Sequence, residues 1–198
     1  DGLDILVSGV DGEGPKYTLN EACLKRNLTA VYAGVYERGE GGDVIIIRPY
    51  NGPCYACWAA ELREGLALSS KDSVQELDYG MIGPEGTLEA EPGLWLHVAR
   101  IASAQADLVL NELLAGTNVY KTMPANTVIM ANTALEILAG EVSQPYTAVW
   151  VNIDRDPRCL VCGDAVHGKL ADESAVDLSL ADLMDATGLA LEEDQNNE

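Results

Sequence analysis

Four of the five cysteines stand in two pairs, each with two residues between the sulfurs. The pairs are Cys54 with Cys57, and Cys159 with Cys162. This spacing lets both thiolates of a pair reach one metal ion, and two pairs supply the four soft ligands of a closed tetrahedral zinc site. Four sulfurs leave no position for a catalytic water, so we expect a structural zinc ion that joins two distant segments. Two local disulfides, or four unrelated buried cysteines, are the alternatives.

The composition restricts the class of protein. The chain has 198 residues and is 47% hydrophobic, enough for one domain with a sizeable core. A net charge of −20 argues against a nucleic-acid partner. No apolar run reaches the ~20 residues of a membrane span. The cysteine usage indicates a reducing, cytoplasmic setting. Because the chain opens at Asp1 without a methionine or a signal sequence, we expect a piece of a longer protein.

Asp11 stands just beyond a buried strand that the pattern predicts over residues 3–9. In open α/β sheets ligands bind at the carboxyl edge of the strands, so this carboxylate could hold a metal ion near a phosphate. An ordinary turn aspartate is the alternative, and the spacing alone favours it.

A strand–helix–strand–strand order surrounds Asp11 and predicts an α/β sheet with a crossover helix. The helix is predicted over 15–26, and the next strands over 29–34 and 44–47, with a glycine-rich turn at 39–42 between them. Cys23 falls on the apolar face of the helix, so we expect a core residue and not a nucleophile.

The second half of the chain is predicted to contain two helices, two strands and an acidic tail. The helices are predicted over 58–64 and 91–115, with a polar loop between them at 69–73. The strands are predicted over 128–130 and 147–153 and could pair with each other, while the structure of 135–138 is ambiguous. His97 is expected to be a hydrogen-bonded structural histidine. Residues 164–198 hold ten acidic side chains against Lys169 alone, so we divide the chain into 1–163 and a partly helical or disordered tail, 164–198.

Taken together, these segments resemble the ThiF/MoeB/HesA superfamily, the prokaryotic relatives of ubiquitin-activating E1 enzymes. The resemblance covers residues 1 to about 163, and its cysteine pairs are its specific part. The residues that carry it are Asp11, Leu19-Asn20, Val31-Tyr32-Ala33-Gly34, Gly42-Asp43-Val44, Pro53-Cys54-Tyr55-Ala56-Cys57, Glu91-Pro92-Gly93-Leu94 and Asp156-Pro157-Arg158-Cys159-Leu160-Val161-Cys162-Gly163.

The resemblance implies the C-terminal portion of an E1-like adenylation domain. The expected fold is part of a Rossmann-like sheet with helices on both faces and a structural zinc site. The implied reaction uses MgATP to adenylate the C-terminal glycine of a ubiquitin-like or sulfur-carrier protein. By the same resemblance Asp11 helps to hold magnesium and ATP, the four paired cysteines are zinc ligands, and the protein forms a homodimer.

The departures from the family limit what the chain itself is expected to do. The family's GxGxxG loop, its ribose-binding acid and its phosphate-neutralising arginine and lysine do not occur in this match, and residues 58–90 hold no cysteine for a thioester or persulfide. We therefore assign no catalytic residue and expect these 198 residues alone not to turn over ATP. The alternative is a non-catalytic, zinc-braced interaction or dimerisation module derived from the same fold.

Overall fold

The structure is a computed structural model that describes residues 2–65, 93–138 and 140–166. Its helices and strands are β1 (Leu6–Ser8), α1 (Glu13–Arg26), β2 (Ala30–Val35), β3 (Gly41–Ile47), α2 (Tyr55–Gly65), α3 (Trp95–Leu113), β4 (Thr127–Ala131), β5 (Leu135–Leu138), β6 (Glu141–Ser143) and β7 (Ala148–Val151). Five strands form one sheet in the order β1–β2–β3–β4–β7, and β5 pairs with β6 in a separate hairpin.

The pair β1–β2 is parallel, with Leu6 opposite Ala30, and α1 crosses between the two strands. This confirms the predicted crossover helix. The pairs β2–β3, β3–β4 and β4–β7 are antiparallel. Only a short turn joins β2 to β3, and such a connection allows an antiparallel pair but not a parallel one. The sheet is therefore mixed, with its one described parallel pair at the β1 edge.

Helices cover both faces of the sheet, as the resemblance implies. Alternate residues of a strand point to opposite faces. One set, which includes Tyr32 and Ile45, packs against α1 and α2 through Cys23 and Trp58. The other set, which includes Val31, Val44 and Ile46, packs against α3 through Ile101 and Leu108. All seven residues of β3 are buried, because this central strand is covered on both faces.

The glycine-rich segment differs from its prediction. A short 3₁₀ turn over Glu37–Gly39 makes the reversal, while Gly41 and Gly42 already belong to β3. A Cβ atom at Gly42 would lie 2.8 Å from Cγ1 of Ile101 and would also collide with the carbonyl oxygen of Gly34. Gly42 therefore lets β3 approach both β2 and α3 closely. The prediction that Gly42 belongs to a turn is wrong.

The remaining predicted helices and strands are present in the structure, but they begin or end at different residues. The segments 128–130 and 147–153 do pair, as β4 and β7. The short helix begins at Tyr55, three residues earlier than predicted, and the ambiguous segment 135–138 is a strand. The long helix is described from Trp95 to Leu113. The loop at 69–73, residues 91–92 and the tail from 167 onward lie outside the described residues. Within the described ranges, no helix has the length and hydropathy needed to cross a membrane.

Candidate functional site

The two cysteine pairs meet although more than a hundred residues separate them in the chain. Cys54, Cys57 and Cys162 are buried and Cys159 is partly exposed. Three Sγ–Sγ distances are 3.8, 3.8 and 3.5 Å, for Cys54–Cys57, Cys54–Cys159 and Cys57–Cys162. A tetrahedron with Zn–S bonds of about 2.3 Å has sulfur–sulfur edges of about 3.8 Å. All four ligand atoms lie within 4.8 Å of one another, so the four-cysteine cluster has the dimensions of a metal site.

The second pair of the cluster lies in a tight backbone knuckle. The Gly163 N–H donates to the Cys159 carbonyl at 2.7 Å, and the Asp164 N–H donates to the Pro157 carbonyl at 2.9 Å. A Cβ atom at Gly163 would lie 2.8 Å from the Cys159 nitrogen, so the turn requires glycine. The Val161 N–H points at Cys159 Sγ at 3.4 Å, which favours a thiolate there. Close backbone contacts thus explain why a glycine follows the second cysteine pair.

The electrostatics of the cluster suit a bound cation. The neighbouring sulfurs of Cys162, Cys54 and Cys57 lower the pKa of Cys159, whereas the Cys159 sulfur raises the pKa of Cys54. Without a positive charge between them, four sulfurs at this distance cannot all be thiolates. A divalent metal ion removes this conflict. All four cysteines are free thiols here, so the disulfide alternative does not describe this arrangement.

Arg155 and the end of α1 hold the cluster in place. The Arg155 Nη2 atom donates to the Cys162 carbonyl and to Asp164 Oδ1, both at 2.7 Å. Leu24 and Tyr50 pack against the sulfurs from the body of the domain. The cluster therefore joins the segment after β7 to the end of the β3–α2 connection and the first turn of α2.

Asp11 lies at the other end of α1, at the carboxyl edge of β1. It is exposed, and its Oδ1 atom accepts the Gly12 N–H at 3.1 Å. Strand β1 ends at Ser8 and α1 begins at Glu13, so the order strand, turn, aspartate, helix is as predicted. The role of Asp11 toward magnesium and ATP stays a prediction, and so does the ligand role of the four cysteines.

A buried carboxyl group near this edge escaped the sequence analysis. Asp43, on β3, is only 6% exposed and sits opposite Gly34 of β2. Burial raises the pKa of Asp43 to about 7, while Lys16 and Tyr36 oppose that shift. The Tyr36 hydroxyl is also buried and makes no well-formed hydrogen bond. The period of the strand puts Asp43 on the same face as Ile45, but only the pairing with β2 shows that Gly34 lies opposite it.

Two further expectations have mixed outcomes. Cys23 is 1% exposed, and burial raises the pKa of its thiol, which confirms a core residue. His97 packs against Gly39, but its Nδ1 atom is buried without a hydrogen-bond partner. The expected hydrogen bond is therefore not found at that atom.

Comparisons with known proteins point to one fold. No family model matches the chain. Ubiquitin-like modifier-activating enzyme 5 of Drosophila ananassae and that of Drosophila melanogaster are each 36% identical to this chain over 55 residues. Each alignment covers 28% of this chain and 14% of the relative, so the match spans about a seventh of those enzymes.

Among solved structures, a crystal structure of E. coli MccB with succinimide superposes with a TM-score of 0.50 at 16% sequence identity. The match covers 81% of this chain and 39% of MccB. The sheet and the helices on both faces define a mixed α/β domain with an E1-like fold, and its four clustered cysteines are placed to hold a metal ion. The resemblance to the ThiF/MoeB/HesA superfamily is thereby confirmed at the level of the fold.

Proposed function

We propose that the protein containing this chain is an E1-like adenylyltransferase that activates the C-terminal glycine of a ubiquitin-like or sulfur-carrier protein with MgATP. The observation that carries the proposal is the position of Asp11. In an E1-like fold it lies between the carboxyl end of β1 and the first turn of α1, the edge at which open α/β sheets bind ligands. The relatives are named ubiquitin-like modifier-activating enzymes, which supports the same class of substrate.

In this proposal the chain contributes positioning and charge. The substrate carboxylate attacks the α-phosphorus of ATP, the bond to the pyrophosphate oxygen breaks, and an acyl-adenylate and pyrophosphate result. Catalysis of such a step rests mostly on orientation and on neutralising phosphate charge. Asp11 would hold magnesium at the phosphates. The four-cysteine cluster would hold a zinc ion that braces the fold, with no open position for chemistry.

Capture of the acyl group by a thiol would use a cysteine outside this sequence. Four of its five cysteines form the cluster, and the fifth, Cys23, is buried in the core. We place the protein in the cytoplasm, because free thiolate ligands persist in a reducing compartment.

The test is ATP–pyrophosphate exchange by the intact protein, with candidate ubiquitin-like proteins encoded beside it. We expect exchange that depends on the partner and disappears when the partner's terminal glycine is removed. The glycine-deleted partner is the matched control, because it keeps the folded surface and loses only the reacting carboxylate. Exchange that is absent with every partner, from a protein with full metal content, would contradict the proposal.

A second candidate, the interaction or dimerisation module, is favoured by the outer face of α3. Its apolar side chains Trp95, Leu110 and Leu113 are 81%, 57% and 51% exposed. An exposed apolar stripe of this kind is typical of a helix that contacts another chain. We propose that two copies meet there, as a homodimer. Light scattering should give a dimer mass for the wild type and a monomer mass for Leu110→Glu with Leu113→Glu, whereas a wild-type monomer would contradict the dimer.

A further inference from the structure

The first turn of α1, directly after Asp11, has no cap of its own. The residue before the helix is Gly12, at φ 80°, and no side chain makes a capping hydrogen bond there. The first four backbone N–H groups of a helix have no partner within the helix. A residue with a capping side chain would have fixed this end locally. Contacts made by other parts of the chain therefore matter more for the position of this turn.

Tyr55 supplies contacts to α1 at two points. Its hydroxyl donates to Glu13 Oε1 at 3.1 Å, in the first turn of the helix. Its backbone N–H donates to Asn20 Oδ1 at 3.0 Å, and Asn20 is fully buried. Lys16 extends this contact, because its Nζ atom lies 3.8 Å from Glu13 Oε1 and 5.8 Å from the centre of the Tyr55 ring. One residue of the cysteine segment thus holds the helix over two turns.

Tyr55 belongs to the same short segment as the first cysteine pair. It lies between Cys54 and Cys57 in the chain, and it is the first residue of α2. Its side chain is 1% exposed and packs on Tyr32, with ring centres 4.9 Å apart, and on Trp58 at 5.4 Å. In a close-packed interior a ring held on several sides has no alternative rotamer without a void. The core packing and the backbone of the first cysteine pair together restrict where the hydroxyl points.

We propose that Tyr55 is a positioning residue that transmits the geometry of the four-cysteine cluster to the first turn of α1 and so to Asp11. The link has three steps: the cluster sets the backbone at Cys54 and Cys57, that backbone sets the Tyr55 ring, and the hydroxyl sets Glu13. The consequence for Asp11 rests on the proposed function. The coupling between cluster and helix is a property of the fold and can be measured without a nucleotide.

The experiment measures hydrogen–deuterium exchange of the zinc-loaded protein in a peptide covering residues 12–20. Tyr55→Phe removes only the hydroxyl, and we expect exchange in this peptide to be about fivefold faster, as for one lost intramolecular hydrogen bond. Tyr146→Phe is the matched control, because Tyr146 is 75% exposed and its ring faces the Arg100 guanidinium of α3, on the opposite face of the sheet from α1. That control should leave residues 12–20 unchanged. Exchange in β3 serves as the reference for global unfolding.

A second arm removes zinc with a chelator from the wild type and from Tyr55→Phe. We expect removal to accelerate exchange over residues 12–20 in the wild type and to add less in Tyr55→Phe, because two changes on one pathway are not additive. Equal rates in Tyr55→Phe and Tyr146→Phe, or fully additive effects of chelator and substitution, would overturn the proposal. Neither arm uses ATP, so a failure here is distinguishable from a failure of pyrophosphate exchange.

Discussion

The buried carboxyl group of Asp43 should make stability depend on pH in an unusual direction. Its folded-state pKa is raised to about 7, mainly by burial. The same group in an unfolded chain titrates near ~3.9. Between these values the folded protein binds more protons than the unfolded one, so this group lowers the free energy of unfolding as the pH rises from about 4 to about 7. Lys16, which favours the charged form, and Glu13, which opposes it, are the charged groups acting on Asp43.

Asp43→Asn keeps the shape of the side chain and removes the titration. At 1.36 kcal/mol per pKa unit, the variant should gain about 3 kcal/mol relative to the wild type between pH 5 and pH 8. Urea unfolding at a series of pH values measures this difference, and proton competition for the cysteines affects both proteins equally. Asp4→Asn, at an exposed position, controls for the loss of one charge. A wild-type-to-variant difference that stays flat from pH 5 to pH 8 would refute the reasoning.

Three further predictions concern the cysteines and the glycine-lined strand. Cys57→Ser should abolish zinc binding and lower the unfolding temperature, because structural zinc sites contribute on the order of 10–16 kcal/mol of apparent binding energy. Cys23→Ser is the control and should keep one zinc per chain. Metal retained by Cys57→Ser in elemental analysis would contradict the ligand set. With zinc bound, Cys23 should react slowly in a thiol titration, since it is 1% exposed. A fast-reacting thiol that maps to Cys23 would contradict its burial. Gly42→Ala should cost about 1–3 kcal/mol or more in chemical denaturation through overpacking, whereas Gly9→Ala, where a Cβ meets nothing within 4 Å, should cost far less.

The sequence predicted those features whose signal is local. Two residues between cysteines let both sulfurs of a pair turn to one point, and Gly163 marks the second pair for a steric reason that the structure confirms. The strand and helix on either side of Asp11 follow from apolar runs and their period. Gly42 shows the limit, because a glycine in a turn and a glycine at a close contact look the same in a sequence.

The contacts that organise the site depend on register and on distant pairing. Asp43 is buried because β2 and β3 pair so that it faces Gly34, which the strand pattern alone does not fix. Arg48 pairs with Glu112, 64 residues away, through two hydrogen bonds of 2.9 and 2.7 Å. The hydroxyl of Tyr55 reaches Glu13 only once α1 and α2 have packed on the same face of the sheet. Such pairs appear when the tertiary structure is known.

The most direct test of the proposed nucleotide edge is ATP–pyrophosphate exchange by the intact protein and its Asp11→Ala variant. Loss of one electrostatic stabiliser at the phosphates should slow exchange about a hundredfold or more. Zinc content and folding should be unchanged, because Asp11 is exposed at the edge of the sheet. Asp4→Ala, which removes an exposed aspartate from the opposite end of β1, should exchange at the wild-type rate. If Asp11→Ala also exchanges pyrophosphate at the wild-type rate, Asp11 is an ordinary turn residue and the nucleotide is bound elsewhere.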